Sequence, residues 1–427
     1  MSTIEKLKGF KDYYPEDQEV REKIFDVMRN TARTYGFLPV DYPSIEYLKM
    51  YQIKSGDELV SQTYNFKDKG NRDVTLIPEA TPSTVRLLLA RKDMQRPVKW
   101  YNIPKLWRYE EPQSGRNREH FQFNCDFFGE PQRQADIEVI ALACQTLNEL
   151  GLKGLYEVRL NERALMEKIL SSSGSKDTQK SLQIIDRIHK EDESTTIERL
   201  KEQGIPDEKL YDLMKFLTSS YDLESFKNIP VDGIENFEEM KYVKTLMEKL
   251  KSFGFKDVVF HPSTVRGLAY YTGIVFEGFD KEGQFRSIFG GGRYDNLTVL
   301  FGGEQIPAVG FGMGDAVLEK MLIANGLWKR KNEELACFVI GKGVQGQTVA
   351  ENVANMLRTN HVVTELDLSG KSIARSIGRA SSRGYKVAII VGDEEAGKGV
   401  VQLKNLSSGD QKEIAPENLL DHLSRRS

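Results

Sequence analysis

Apolar residues at Val20, Ile24, Phe25, Val27 and Met28 recur at helical spacing in a charged stretch, which predicts a helix over 16–35. Tyr35-Gly36-Phe37 stops it, and Leu38-Pro39-Val40 begins an extended run. From about Thr75 to Gly129, short apolar runs alternate with polar turns, the pattern of antiparallel strands, with one helix over Thr81–Arg91. Asp136–Leu150 is apolar enough for a buried helix. Residues 165–250 are rich in Lys, Glu, Leu and Ile at helical periodicity and carry few strand signals, which marks a helical insertion. A glycine-rich strand pattern returns from Val258 to Asp315.

Beyond the charged stretch Leu327–Glu334 the rhythm changes. Strands are predicted at Cys337–Ile340, Val362–Leu366, Val387–Val391 and Val400–Lys404, with helices at Gln347–Thr359 and Ser372–Arg383. That alternation predicts a small α/β domain with a mixed sheet. The expected organisation is a first domain over 1–327, containing the 165–250 insertion, and an α/β domain over 335–427. No internal repeat or low-complexity tract is present.

Composition narrows the class without fixing it. A chain of 427 residues suggests two or three domains, and 39% hydrophobic content is enough for real cores. Lys+Arg of 60 against Asp+Glu of 63 nearly balance, so net charge neither requires nor excludes a polyanionic partner. Cys125, Cys144 and Cys337 are widely spaced and form neither a metal-ligand pattern nor a disulfide framework. No apolar run approaches the roughly 18 residues that span a bilayer, and the first residues lack a signal-peptide core. The expectation is a cytoplasmic protein with no membrane or DNA partner and no resident metal.

Three polar clusters interrupt the apolar rhythm. In the first, Arg108 and Glu110 alternate with Trp107 and Tyr109, so on a strand they would share a face. A guanidinium held there can grip a phosphate oxygen through paired hydrogen bonds, and the loop with Gln113, Arg116 and Arg118 adds donors. Gln122 and Asp126 lie four apart on the return strand and face the same way. The neighbours of Asp126 (Phe123, Cys125, Phe127 and Phe128) are apolar, which predicts a buried carboxylate in need of partners. In the second cluster, Thr81 is a suitable N-cap with Pro82 at the first helical position, but helix capping does not account for Glu79. In the third, Gly290-Gly291-Gly292 allows close backbone approach just before Arg293-Tyr294-Asp295.

These segments, together with Arg266-Gly267-Leu268-Ala269-Tyr270-Tyr271, resemble in order and spelling the histidyl-tRNA synthetases, a family of class II aminoacyl-tRNA synthetases. The resemblance runs almost end to end and implies an α+β fold: an antiparallel sheet with flanking helices and a helical insertion, followed by a C-terminal α/β anticodon-binding domain. It implies activation of histidine by ATP with Mg²⁺, then transfer to the 3′ end of tRNA(His), by a homodimer.

Residue by residue, the resemblance places Arg108 and Arg266 at the α-phosphate as catalytic groups. It places Glu79, Thr81, Gln122, Asp126, Tyr270, Tyr271 and Tyr294 around histidine. Arg108, Glu110, Arg116, His120 and Phe121 fall at ATP, with either ring of the His120-Phe121 pair stacking on adenine. Gln113, Arg116 and Arg118 fall near the tRNA acceptor end.

Several positions depart from the family pattern, among them Ala80 where a Gly is usual and His120 where a Phe is usual. Ile77 stands for an Arg, Ala269 for an Asp, and Val317 for the motif 3 Arg that contacts the ATP γ-phosphate. The spellings are those of the archaeal-type branch, and which residue replaces that Arg stays open.

In the last domain Lys371, Arg375, Arg379 and Arg383 recur every fourth residue, one basic face of a helix, with no acidic residue between Leu368 and Gly392. The resemblance to an anticodon-binding domain makes this face a candidate tRNA contact. Val317 and Ala269 leave an alternative, a histidine-sensing paralogue of the ATP phosphoribosyltransferase regulatory-subunit type without ligase activity. The anticodon-like domain and the motif 2 loop argue against it.

Overall fold

A computed structural model of the chain describes residues 4–91, 93–111, 117–231, 233–265, 270–329 and 337–424. Gln113, Arg116, Arg266 and Ala269 lie outside the described residues. The chain forms two compact units, Met1–Lys329 and Arg330–Ser427.

The first unit opens with the helix Pro15–Thr34, which buries Val20, Ile24, Phe25 and Met28. It ends where Gly36 takes a left-handed φ of 79°, a conformation that costs glycine little. Among the described residues the main sheet has nine strands. Its order is Leu38–Pro39, Val98–Asn102, Glu119–Phe128, Ala308–Gly314, Phe289–Arg293, Ile274–Asp280, Tyr156–Glu162 and Val258–Phe260, with Lys105–Trp107 pairing onto Glu119–Phe128. The central six strands are antiparallel, as expected, while the two outermost pair in parallel.

Glu119–Phe128 organises this sheet. Phe123, Cys125 and Phe127 point into the core, joined there by Val139, Ile140 and Leu147 of the helix Gln134–Glu149. The opposite face of the strand carries His120, Gln122, Asn124 and Asp126, following the two-residue period. A small antiparallel sheet of Ile45–Tyr47, Asp73–Leu76 and Asn65–Lys67 lies beside it in the chain path. It delivers Pro78-Glu79: the Ile77 N–H bonds the Ser44 carbonyl at 3.0 Å, and the Trp107 N–H bonds the Ile77 carbonyl at 3.0 Å.

The predicted insertion is helical, with helices Arg163–Ser172, Thr178–Ile185, Glu193–Glu202, Asp207–Thr218 and Glu238–Ser252. It has no core of its own. Leu165, Ile185, Leu213, Phe216, Val243 and Leu250 belong to the same buried cluster as the sheet residues Val158, Leu160 and Phe260. Each such side chain contributes about 1.5–3 kcal/mol on burial, so insertion and sheet stabilise one another.

The second unit is the expected α/β domain with a mixed sheet, ordered Thr364–Leu366, Cys337–Gly341, Val387–Val391, Val401–Asn405 and Gln411–Ile414. The first three strands are parallel and the last two antiparallel. The strand Gln411–Ile414 and the helices Asp393–Lys398 and Leu419–Ser424 add to the predicted elements.

Candidate active site

Two adjoining cavities open on the glycine-rich side of the main sheet. The first, about 270 Å³, is lined by Glu79, Thr81, Arg108, Gln122, Asn124, Asp126, Tyr270, Tyr271 and Tyr294 over a floor of Gly290, Gly291, Gly310 and Gly312. The second, about 190 Å³, is lined by Arg108, Glu110, Asn117, His120, Gln122, Arg286, Ala316 and Val317. Arg108, Gln122, Gly290 and Gly312 line both and mark their junction.

The glycines make room for the polar groups. A Cβ on Gly310 would sit 2.4 Å from an Asp126 carboxylate oxygen and 2.9 Å from the Tyr294 hydroxyl, and one on Gly312 would sit 2.8 Å from the Gln122 amide carbon. The run Gly290–Gly292 is therefore not a hairpin turn. It lies within the strand Phe289–Arg293, where small residues permit close approach.

Asp126 is 2% exposed, and the Tyr294 hydroxyl, 3% exposed, donates a hydrogen bond to it. Burial raises the Tyr294 phenol well above its ordinary pKa, and the charge on Asp126 adds to the shift, so Tyr294 is a fixed donor. Tyr270 and Tyr271 close the side of the pocket, their ring centroids 4.4 Å apart. Behind Tyr294, Arg293 is buried, and its Nε donates to Asp136 at 2.8 Å. Asp136 also accepts from the Tyr242 hydroxyl at 2.5 Å, which ties the insertion helix Glu238–Ser252 to the pocket wall.

Local expectations need correction at Arg108 and Glu110, at Thr81, at Phe121 and in the basic helix. The strand carrying motif 2 ends at Trp107, so Arg108 and Glu110 do not alternate on it. The Glu110 N–H turns back to the Arg108 carbonyl at 2.8 Å, and the Arg108 Nε donates to the Pro78 carbonyl at 2.8 Å. A tight turn, not strand parity, brings both residues to the second cavity.

Thr81 is the first residue of its helix and makes no capping bond; the N-cap is Ala80. Thr81 lines the first cavity.

Phe121 faces away from the site and packs on Phe25 at 5.0 Å between centroids. Strand parity leaves His120 as the ring in the cavity. Burial lowers its pKa to about 3, and nearby Arg108 pushes the same way, so the imidazole is neutral.

Arg118 clasps the chain: its guanidinium bonds the Glu110 carbonyl at 3.1 Å and the Lys8 carbonyl at 3.3 Å and stacks over Tyr109.

In the second unit the basic helix spans Ile373–Ser382, so Lys371 precedes it and Arg383 caps its end. Its charge is partly neutralised. Arg379 pairs with Glu365 and Asp367, and Arg383 with Glu365. Glu365 lies on the strand Thr364–Leu366 and Asp367 directly follows it, just before the acid-free stretch.

Asn124 and Arg286 are lining residues that the sequence reading missed. Asn124 was available from the parity of Gln122 and Asp126; Arg286 was signalled only by being a cation between two glycine-rich strands. The three cysteines are free and buried. Among the described residues no three His, Cys, Asp or Glu side chains group to hold a metal, and no helix is long and apolar enough to cross a membrane.

With that geometry in hand, comparison with known proteins is direct. A histidyl-tRNA synthetase model matches residues 9–316, and an anticodon binding domain model matches 336–426. The chain is 43% identical to a histidine–tRNA ligase of Thermoplasma volcanium over 423 residues, 99% of each chain, which agrees with the archaeal-type spellings. It is 41% identical to that of Picrophilus torridus over the same span, again 99% of each.

Among solved structures, a histidyl-tRNA synthetase from Nostoc sp. PCC 7120 aligns with TM-score 0.83 at 22% identity, over 100% of both chains. An ATP phosphoribosyltransferase regulatory subunit/histidyl-tRNA synthetase from Bacillus halodurans aligns with TM-score 0.75 at 22% identity, over 92% of this chain and 99% of that one. At those identities the structures speak for the fold, while the sequence matches go further: the chain belongs to the histidyl-tRNA synthetase family.

Proposed function

We propose that this chain is a histidine–tRNA ligase that activates histidine with ATP and transfers it to the 3′ end of tRNA(His). The carrying observation is the pair of joined cavities. One presents a buried carboxylate with a phenol donor, and an arginine, Arg108, stands at the junction with the other.

In this reading Glu79 holds the substrate ammonium, assisted by Gln122 and Thr81. Asp126, oriented by Tyr294, accepts the imidazole N–H between Tyr270 and Tyr271. A side chain that cannot donate there forfeits a hydrogen bond to a buried charge, which costs on the order of several kcal/mol. The histidine carboxylate then attacks the α-phosphorus of ATP at the junction, beside Arg108, and pyrophosphate leaves. Arg108 stabilises charge that grows on the α-phosphate, and Arg266 is assigned the same duty. His120 stacks on adenine, beside Glu110.

No side-chain nucleophile is needed; positioning and charge stabilisation suffice. Mg²⁺ fits as an ion carried by the phosphates and water, since the acidic side chain lining the second cavity among the described residues, Glu110, lies on the adenine side. It would screen the phosphate charges.

The first domain, 1–327, is assigned catalysis and the 335–427 domain the anticodon, with Lys371 and Arg375 the main cationic contacts and Arg379 and Arg383 supporting them. Exposed Leu38, Ile45, Tyr47 and Phe66 support a homodimer. Three buried free cysteines suit the reducing cytoplasm.

Histidine-dependent exchange of labelled pyrophosphate into ATP is the test, with other amino acids as controls. Exchange with histidine alone is expected, followed by charging of tRNA(His). Folded protein that binds histidine but exchanges nothing would overturn the ligase reading in favour of a histidine sensor.

A further inference from the structure

The second cavity has two lateral walls and an end, and its charge is unevenly placed. Glu119–Phe128 and Phe289–Arg293 flank the strand Ala308–Gly314 on opposite sides. Gln122 pairs with Gly314 on one side, and Phe289 pairs with Met313 on the other. Continuing both registers carries His120 and Arg286 to opposite sides of Ala316, at the start of the helix Asp315–Ala324.

The cavity therefore has a neutral ring, Asn117 and Glu110 toward one wall, an arginine at the other, and a helix N-terminus at its end. The first-turn acid of that helix, Asp315, is engaged by the Phe121 backbone and is not among the residues that line the cavity. The Asp315 carboxylate accepts the Phe121 N–H at 3.1 Å, and burial raises its pKa to about 7. Val317, in the same turn, lines the cavity and brings no charge.

We propose that Arg286 binds the β- and γ-phosphates of ATP, the pyrophosphate that leaves. The assignment rests on the ligase reading for the identity of the nucleotide. A nucleotide with its α-phosphate at the Arg108 junction has two directions to fill. The base takes the wall with the neutral ring. The polyphosphate, with about three further charges, takes the wall with the cation and the helix start, where backbone N–H groups and the dipole add to the guanidinium. Among the described residues Arg108 and Arg286 are the cationic side chains that line this cavity. Arg286 is exposed and lies in the loop before the strand Phe289–Arg293, so its removal leaves the core intact.

The test measures equilibrium binding of ATP and of AMP to the full chain, without turnover, for the parent, Arg286→Ala and Arg286→Lys. The expected result for Arg286→Ala is an ATP affinity weakened by about tenfold or more, with AMP affinity changed less than about twofold and an unchanged thermal midpoint. Arg286→Lys should recover most of the ATP affinity, since a point charge replaces the fork. Equal weakening of ATP and AMP, or an unchanged ATP affinity, would overturn the assignment. Because binding is read without exchange, this result stands apart from the pyrophosphate-exchange test of the ligase reading.

Discussion

The two cavities share a strand face and a glycine floor but differ in how their polar groups are fixed. In the first, the group proposed to select the side chain is buried and hydrogen-bonded. Asp126 is 2% exposed and takes a hydrogen bond from Tyr294, whose neighbour Arg293 is anchored on Asp136. In the second, the groups come from a turn, a loop and a helix start: Glu110, Arg286 and Val317. Discrimination between amino acids needs a rigid, dry partner, because only a buried unpaired charge is costly enough to reject a wrong side chain. A nucleotide brings several charges and a large ring, so its site can distribute the work over more adaptable positions.

The sharpest way to break this contrast is Asp126→Ala. It should lower kcat/KM for histidine by about 10³-fold while changing ATP affinity less than about threefold. Parallel losses for both substrates in exchange kinetics would mean that the cavities are not energetically separate.

Tyr294→Phe keeps the ring and removes the donor to Asp126. A loss of about 10- to 100-fold in kcat/KM for histidine is expected, the worth of one hydrogen bond to a charged acceptor. Steady-state kinetics with unchanged values would remove Tyr294 from the specificity apparatus.

The smallest expected effect is at His120. Truncation to Ala should weaken ATP by about tenfold through lost stacking, and Phe should restore it. The sign of its pH dependence follows from burial. With a folded pKa near 3 against an ordinary 6.5, His120 resists charging, so its contribution to stability is full above pH 6.5 and is lost as pH falls toward 3. The His120→Phe variant should therefore lose less thermal stability between pH 6.5 and 4 than the parent. Equal losses on acidification would show that the ring is not held neutral.

The contrast also explains what could be read from the chain. Gln122 and Asp126 were legible because strand parity is rigid over four residues, and the apolar neighbours of Asp126 announced its burial. The order of elements was legible for the same reason: period two and period 3.6 rarely mimic one another over long runs. The second cavity was harder. Arg108 and Glu110 come together through a turn beyond the strand end at Trp107, which periodicity does not encode. Phe121 was offered beside His120 because adjacent residues cannot be ranked until the buried face of a strand is known.

Lys371, Arg375, Arg379 and Arg383 looked like one continuous basic stripe, since a gap in acids along the sequence was read as a gap in space. Glu365, on the adjacent strand, and Asp367, directly after it, fill that gap. The insertion was legible as helices but not as part of the main core, because the contacts of Leu213 or Val243 with the sheet are long-range.

The glycine floor has a consequence for descent. Walls made of side chains can be revised one residue at a time, and most such changes leave a protein that still folds. A methyl group on Gly310 would strike the Cys125 carbonyl as well as Asp126, and one on Gly291 would strike the Gly310 carbonyl, so at these two positions the floor offers no gradual step. A lineage from this chain that acquires a different substrate has more room to change the rim and the walls than the floor at Gly291 and Gly310.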